Sequence, residues 1–310
     1  MPPVLPDDVR RMLDERSSAR AARDWERADE LRDSIAALGW EVQDGPGGST
    51  ARPLLPPTAA PTGYADPEDL TSLLDEPMTV AASLQVVAED QPDDLHRALR
   101  GLAAHPPDLA WELVVVANAP DFDLDPVLDV DLRTGPIVLR TAERLGWADA
   151  RTLGMRRSRG EVTVLLDTSC EPTGDFLTPL LAAFEDPGVG IAGGWGVTSG
   201  DGRSFEEAAA GEVDAIEGYC LAVRRDALRA VGGFDRRFRF YRNADLDFSF
   251  AVRDAGWRAM RTGPLPLVRH EHRGWTSVSE AERDRLSKRN FYRFLEHWGD
   301  RADLLLRADP

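Results

Sequence analysis

The segment from Gly45 to Pro77 constrains this chain most. It opens Gly45-Pro46-Gly47-Gly48-Ser49-Thr50 and carries Pro53, Pro56, Pro57, Pro61, Pro67 and Pro77. Proline lacks a backbone donor and fixes φ, so this composition favours an extended, semi-rigid spacer over regular structure. The chain is therefore expected to fold as two parts, residues 1–44 and 78–310, joined by a linker over 45–77. Within the linker, Leu70, Leu73 and Leu74 are spaced to make one short helix that docks on the following domain.

Residues 7–40 read as two helices. Val9, Met12, Leu13 and Ala19 recur at helical spacing, and Trp25, Ala28, Leu31, Ile35 and Leu38 do so again. Asp24 is placed as the N-cap of the second helix and Gly39 as its C′ stop. Two short helices with one apolar stripe each should pack as an antiparallel hairpin.

From Thr79 strands and helices alternate. Val80–Val87, Leu113–Val116, Ile137–Leu139 and Val162–Leu166 read as buried strands, and 217–223 as a further one. Helices are expected over about 93–104 and 148–157. The alternation predicts an α/β domain with a largely parallel sheet and right-handed crossovers. Ligands in such sheets bind beyond the carboxyl ends of strands, which points to the loops after Val87, Val116 and Leu166. The string Gly188-Val189-Gly190-Ile191-Ala192-Gly193 matches a dinucleotide fingerprint in letters only. It lacks the strand before it and the helix after it, and reads as a turn into the next strand.

Composition removes several classes of function. A net charge of −17 opposes the phosphate contacts that nucleic-acid binding needs, and equally opposes anionic membranes. No apolar run reaches the ~18–20 residues of a membrane span. The N-terminus has neither the basic nor the apolar region of a secretory signal. Cys170 and Cys220 are the only cysteines, too few for a disulfide framework or a structural zinc site, so a cytoplasmic location is expected. Arginines gather over 140–159 and 224–242, which leaves a small anionic ligand open.

Carboxylates and histidines mark the chemistry. The strand over 162–166 runs into Asp167-Thr168-Ser169-Cys170-Glu171-Pro172, which puts a carboxylate at a strand's carboxyl end. Gly232-Gly233-Phe234-Asp235 precedes the pair Asp245 and Asp247 at the start of a helix, and His270-Glu271-His272 follows. Such a set can supply one cleft with a general base and a metal ligand.

Two resemblances follow from these motifs. Glu15-Arg16, Ala19-Arg20, Asp24-Trp25, Ala28-Asp29, Leu31-Arg32-Asp33, Leu38-Gly39, Val42 and Asp44-Gly45 resemble the C-terminal helical segment of cysteinyl-tRNA synthetases. None of the synthetase's catalytic or zinc motifs accompanies them, so a docking module with a protein partner is expected. From about Thr79 to Trp298 the chain resembles the family 2 glycosyltransferases of the GT-A fold, a Rossmann-like nucleotide-diphospho-sugar transferase architecture. Leu145-Gly146-Trp147-Ala148, Ala150-Arg151 and Gly154 carry the likeness, followed by Arg159-Gly160-Glu161 and Leu165-Leu166-Asp167. Gly218, Cys220, Ala222, Arg224-Arg225, Val231 to Asp235, Ala244 to Asp247 and Val268-Arg269-His270 complete it.

That resemblance implies a nucleotide-diphosphate sugar as donor, a glycan or lipid-linked acceptor, and inversion at the transferred carbon. It implies Asp245 as general base, with Gly218, Asp247 and Trp195 on the acceptor side. Asp167 and Ser169 fall on the donor side, with Arg151 and Arg224 as diphosphate partners on charge. Mg²⁺ or Mn²⁺ would sit at Asp167 and His270, with His272 an alternative on the same face of a strand. The chain departs from the family pattern at Ser169, where a second carboxylate is usual, and at Ala117-Asn118-Ala119-Pro120, where an aspartate is usual. These departures motivate a second reading, a transferase-like module that binds without catalysis. A third, an RNA-associated accessory protein, is raised by the hairpin and opposed by the charge.

Overall fold

The computed structural model describes residues 7–22, 24–38, 40–45, 48–53 and 63–306. The chain divides into two compact units, Met1–Pro61 and Thr62–Pro310.

In the first unit, α1 (Asp7–Ala21) and α2 (Trp25–Ala37) pair through Val9, Leu13, Ala28, Leu31 and Ile35. The Asp24 side chain accepts from the Arg27 backbone N–H at 3.1 Å, the expected N-cap. Gly39, expected as the C′ stop, lies outside the described residues. Trp25 departs from the expected stripe. It is 57% exposed, and the Arg20 guanidinium lies 5.9 Å from its ring centroid. An antiparallel hairpin follows, β1 (Trp40–Gly45) and β2 (Gly48–Pro53), with Trp40 opposite Pro53. Residues 48–53 are thus a strand, not part of a linker. Pro53 is accommodated because it stands at the strand's end, where a missing donor costs least.

The second unit begins before the expected boundary. Tyr64 bridges to Thr141, and a short 3₁₀ turn at Pro67–Asp69 replaces the helix expected around Leu70. Leu74 is buried in the core, and Arg225 fixes this stretch. Its guanidinium donates to the carbonyls of Leu73, Leu74 (3.0 Å) and Glu76 (2.8 Å), and also to Ser158 (3.1 Å) and Gly160 (3.2 Å). One buried cation thereby satisfies carbonyls from two segments.

The main elements then run in order: β3 (Val80–Ala88), α3 (Pro92–Ala104), β4 (Trp111–Ala117), α4 (Asp125–Leu128), β5 (Ile137–Arg140), α5 (Trp147–Arg157) and β6 (Gly160–Leu166). Next come β7 (Cys170–Pro172), α6 (Leu177–Leu181), β8 (Val189–Gly193), β9 (Gly196–Thr198), β10 (Glu206–Glu207), β11 (Gly211–Val213), β12 (Ala215–Ile216) and β13 (Cys220–Arg224). The last are α7 (Arg225–Val231), α8 (Ala244–Asp254), β14 (Arg258–Arg261), β15 (Leu267–Arg269), α9 (Arg273–Thr276) and α10 (Glu280–Trp298). The principal sheet has the order β11-β14-β8-β13-β6-β3-β4-β5. β5, β4, β3 and β6 are parallel, whereas β13 is antiparallel to both β6 and β8.

Both faces of the sheet are covered, which is why its central strands are apolar throughout. Side chains alternate between the two cores. Leu84, Val86, Leu113, Val115, Val162 and Val164 face one, with Leu95, Leu99 and Leu102 of α3. Val87, Val114 and Val116 face the other, with Ala150 and Leu153 of α5. α5 lies close against β3 because Gly154 permits it. A Cβ there would stand 2.1 Å from Gln85 Nε2, which donates to the Arg151 carbonyl at 2.9 Å. This packing sets the helix that carries Trp147 and Arg151 over the carboxyl end of the sheet.

Candidate functional site

Two cavities open at the carboxyl ends of β3 and β6, and the loop after β4, expected to take part, supplies no lining residue to either. One, about 320 Å³, is lined by Glu89, Asp90, Arg144, Arg151, Ser169 and Arg239, among others. The other, about 420 Å³, is lined by Glu217, Gly218, Tyr219, Asp245 and residues of α10. Trp147, Asp167, Tyr241 and His272 line both, so the two cavities meet at these four side chains.

Asp167 is the pivot. Its Oδ1 accepts from the Ser169 backbone N–H at 2.9 Å and from the Ser169 hydroxyl at 2.6 Å. Its Oδ2 faces His272 Nε2 at 3.6 Å and Arg151 Nη2 at 3.7 Å. Burial works against the carboxylate, but His272, Arg151 and Ser169 outweigh it and hold its pKa well below the ordinary range. Burial likewise disfavours the His272 imidazolium, yet the Asp167 contact wins and raises that pKa. Arg151 is 9% exposed, its guanidinium stacks 3.9 Å from the Trp147 ring centroid, and its Nη1 is buried with no hydrogen-bond partner. A buried donor of that kind calls for an anion.

Asp245 sits in the first turn of α8. Its Oδ2 accepts from the Gly218 N–H at 2.9 Å and its Oδ1 from the Leu246 N–H at 3.0 Å. Burial raises its pKa against those hydrogen bonds, as suits a proton acceptor. Glu217 is also raised, by burial first and by the charge of Asp245 second.

The structure brings Asp167, Ser169, Arg151, Gly218 and Asp245 to this junction. Other expected residues lie elsewhere. His270 Nε2 donates to Glu171 Oε2 at 2.7 Å, because His270 directly follows β15, which pairs with β7 in a ribbon. His272, just beyond that ribbon, is the histidine that reaches Asp167. Arg224 is remote from the cleft. β13 runs antiparallel to β6, so Cys220 pairs with Leu166 at the cleft end and Arg224 with Val162 near the opposite end. Its guanidinium donates to the carbonyls of Phe184 (2.5 Å), Val189 (2.9 Å) and Asp186 (3.0 Å).

Asp247 lines neither cavity. It accepts from Trp298 Nε1 at 2.8 Å and lies 3.1 Å from His297 Nδ1, tying α8 to α10. Asp235, Asp247 and His297 are close enough together to hold a cation, but Arg237 already contacts both Asp235 and His297. Trp195 stands behind Tyr219, ring centroids 5.8 Å apart, with the Arg269 guanidinium over both rings.

Several lining residues escaped the sequence reading: Arg239 in the smaller cavity, and Arg203, Glu217 and Lys288 in the larger. Glu217 was within reach, since it directly precedes Gly218. α10 was not, because its importance depends on where the C-terminal helix folds back.

The donor set at the junction fits a divalent cation. Asp167 supplies an oxygen and His272 a nitrogen, at a separation that one ion can span, with room left for ligand oxygens. Ser169 does not replace a second carboxylate, because its hydroxyl is turned to Asp167.

The strand order, the antiparallel strand inserted beside β6, and a strand-end aspartate sharing a cavity with a helix-start aspartate define a GT-A-type α/β domain. Residues 83–265 match glycosyl transferase family 2, and the chain belongs to that family. Residues 2–52 match the cysteinyl-tRNA ligase anticodon binding domain. In fold the chain is similar to GalNAc-T7 solved with UDP, GalNAc and Mn²⁺ (TM-score 0.59, 16% identity, 71% of this chain and 49% of that one). It is also similar to the Pyrobaculum calidifontis mannosyltransferase PcManGT solved with GDP-Man and Mn²⁺ (TM-score 0.50, 20% identity, 67% and 62%). Among curated relatives, the Phenylobacterium zucineum cysteine–tRNA ligase is 54% identical over 44 residues, 14% of this chain. A probable N-acetylgalactosaminyltransferase 6 of Caenorhabditis elegans is 36% identical over 81 residues, 24% of this chain. The matched stretches span 9% and 13% of those two proteins. No helix among the described residues is long and apolar enough to cross a membrane.

Proposed function

We propose that this chain transfers a sugar from a nucleotide-diphosphate donor to an acceptor hydroxyl with inversion. The observation that carries the reading is the junction itself. Asp245 stands in one cavity, Arg151 in the other, and Asp167 with His272 lies between them. The smaller cavity takes the nucleotide diphosphate. Its orphaned Arg151 Nη1 offers a donor to a diphosphate oxygen, and Arg239 adds a second cation. The larger cavity takes the acceptor.

Asp245 removes the proton of the acceptor hydroxyl as that oxygen attacks the donor's anomeric carbon. The Gly218 and Leu246 N–H groups fix its two oxygens, so the carboxylate is oriented before substrate arrives. Direct attack by a base-activated hydroxyl gives inversion. A divalent ion held by Asp167 and His272 would neutralise charge developing on the leaving diphosphate. Trp147 and Tyr241 wall the meeting point. The first unit serves in this reading as a docking module for a protein partner, with Trp25 exposed on it.

The test is thermal stabilisation by UDP, GDP and their sugars, each with and without Mn²⁺. At least one nucleotide should raise the midpoint, and Arg151→Met should abolish the rise. If no nucleotide stabilises the protein, the transferase reading fails. If a nucleotide binds but no donor is consumed, the chain is a binding module.

A further inference from the structure

We infer that the acceptor is an alcohol bearing a phosphate group, with its hydroxyl at Asp245 and its phosphate at Lys288 and Arg203. This rests on the transferase reading for the identity of the larger cavity. The charge pattern motivates it. The chain carries net charge −17, and its 37 Lys and Arg side chains include a single lysine, Lys288. That lysine lines the larger cavity, together with Arg203 and Arg242.

The three cations differ in what they serve. Arg242 lies close enough to Asp245 and Glu217 to favour their ionised forms. Lys288 and Arg203 do not: among the described residues, neither has an ion-pair partner. Asp201 contacts the backbone N–H of Arg203 at 2.8 Å rather than its guanidinium. On α10 the neighbouring Arg285 pairs with Glu282 at 2.5 Å, and Arg293 donates to the Arg237 carbonyl. Lys288 and Arg203 are therefore exposed cations without an ion-pair partner among the described residues, at a cavity in an acidic protein.

Geometry favours phosphate over carboxylate. A planar carboxylate is best met by one arginine fork. Here the cations come from separate segments, the stretch before β10 and the middle of α10, which suits the several oxygens of a tetrahedral anion. The same cavity also presents apolar surface from Phe205, Leu246 and Phe291. That surface suits the carbon skeleton joining the acceptor's hydroxyl to its phosphate.

Because Lys288 is unique, its acylation reports on this site alone. The full-length protein is treated with an acetylating ester, and modification of the Lys288 peptide is followed by mass spectrometry. Glucose 6-phosphate should slow the reaction and glucose should not. Calorimetric binding of glucose 6-phosphate should weaken about tenfold in Lys288→Gln, as expected for one charge-assisted contact, and recover in Lys288→Arg. Phosphatidylglycerol vesicles, compared with phosphatidylcholine vesicles, separate a lipid headgroup from a soluble phosphate, and protection by either probe supports the site. Equal protection by glucose, or none from either phosphate probe, overturns the inference. Loss of glucose 6-phosphate binding in Arg151→Met but not in Lys288→Gln overturns it too, because the phosphate would then sit in the donor cavity. UDP and GDP binding, measured in parallel, separates the two claims. Nucleotide binding without phosphate protection removes only the acceptor inference. Protection without nucleotide binding keeps the phosphate site and removes the transferase reading.

Discussion

His272 Nε2 stands 3.6 Å from Asp167 Oδ2, where the two cavities meet, while His270 turns to Glu171 at 2.7 Å. Two histidines separated by one residue thus have different partners. One belongs to the junction and the other to the ribbon beside it.

The first prediction follows from that division. His272→Ala should reduce Mn²⁺-dependent stimulation of donor turnover by about 100-fold, in line with losses seen when groups that hold or orient a metal are removed. His270→Ala should leave the Mn²⁺ response within about threefold of wild type. Titrating Mn²⁺ into each chelator-treated variant decides the matter, and equal losses in both would be inconsistent with this geometry.

Asp245 should trade stability for function. Burial raises its pKa above the ordinary 3.8, so the folded protein binds its proton more tightly than the unfolded chain does. The ionised form therefore costs stability. That cost builds as pH rises from 3.8 through the folded pKa and is complete above it. Asp245→Asn should raise the thermal midpoint at pH 7, and the gain should vanish as pH falls to 3.8 or below. In wild type the acid limb of kcat/KM should lie above the ordinary carboxylate value. A midpoint at pH 7 lowered by Asp245→Asn would contradict this.

Asp247 acts differently although it is two residues away on the same helix. Asp247→Ala removes the acceptor for Trp298 Nε1 and the partner of His297. It should cost about 2–4 kcal/mol of stability, as for two hydrogen bonds to a buried charge. Nucleotide affinity of the folded fraction should be unchanged, because Asp247 lines neither cavity. Urea unfolding and nucleotide titration together separate this role from a direct one in binding.

Arg225 holds residues 73–76 against the start of β6. Arg225→Met should cost about 3–5 kcal/mol, because several buried carbonyls lose a charged donor at once. Denaturant unfolding monitored by tryptophan fluorescence gives the value. A loss under about 1 kcal/mol would show that those carbonyls find other donors.

Much of the fold was legible because periodicity and burial agreed. The runs 80–87, 113–116 and 162–166 are strands, and 93–104 is a helix, where apolar spacing placed them. Asp167 and Asp245 were legible as candidates because each sits at the end of an element, and both carboxylates line the larger cavity. Arg224 was not, since the direction of β13 depends on sheet pairing that local sequence does not encode. The choice between His270 and His272 turned on where β15 ends. Strand β2 was hidden by Gly48 and Pro53, whose individual preferences the hairpin pairing overrides. Lys288 required knowledge of where α10 packs.

The central claim is that Asp245 takes a proton from an acceptor at a site whose donor is held beyond Asp167. Its most direct measurement is release of nucleoside diphosphate from UDP- and GDP-sugars by the full-length protein with Mn²⁺, for wild type and Asp245→Asn, with nucleotide affinity measured on both. The account predicts saturable turnover of at least one donor, a fall of about 10²–10⁴-fold in Asp245→Asn, and unchanged nucleotide affinity. Turnover in Asp245→Asn equal to wild type would contradict it.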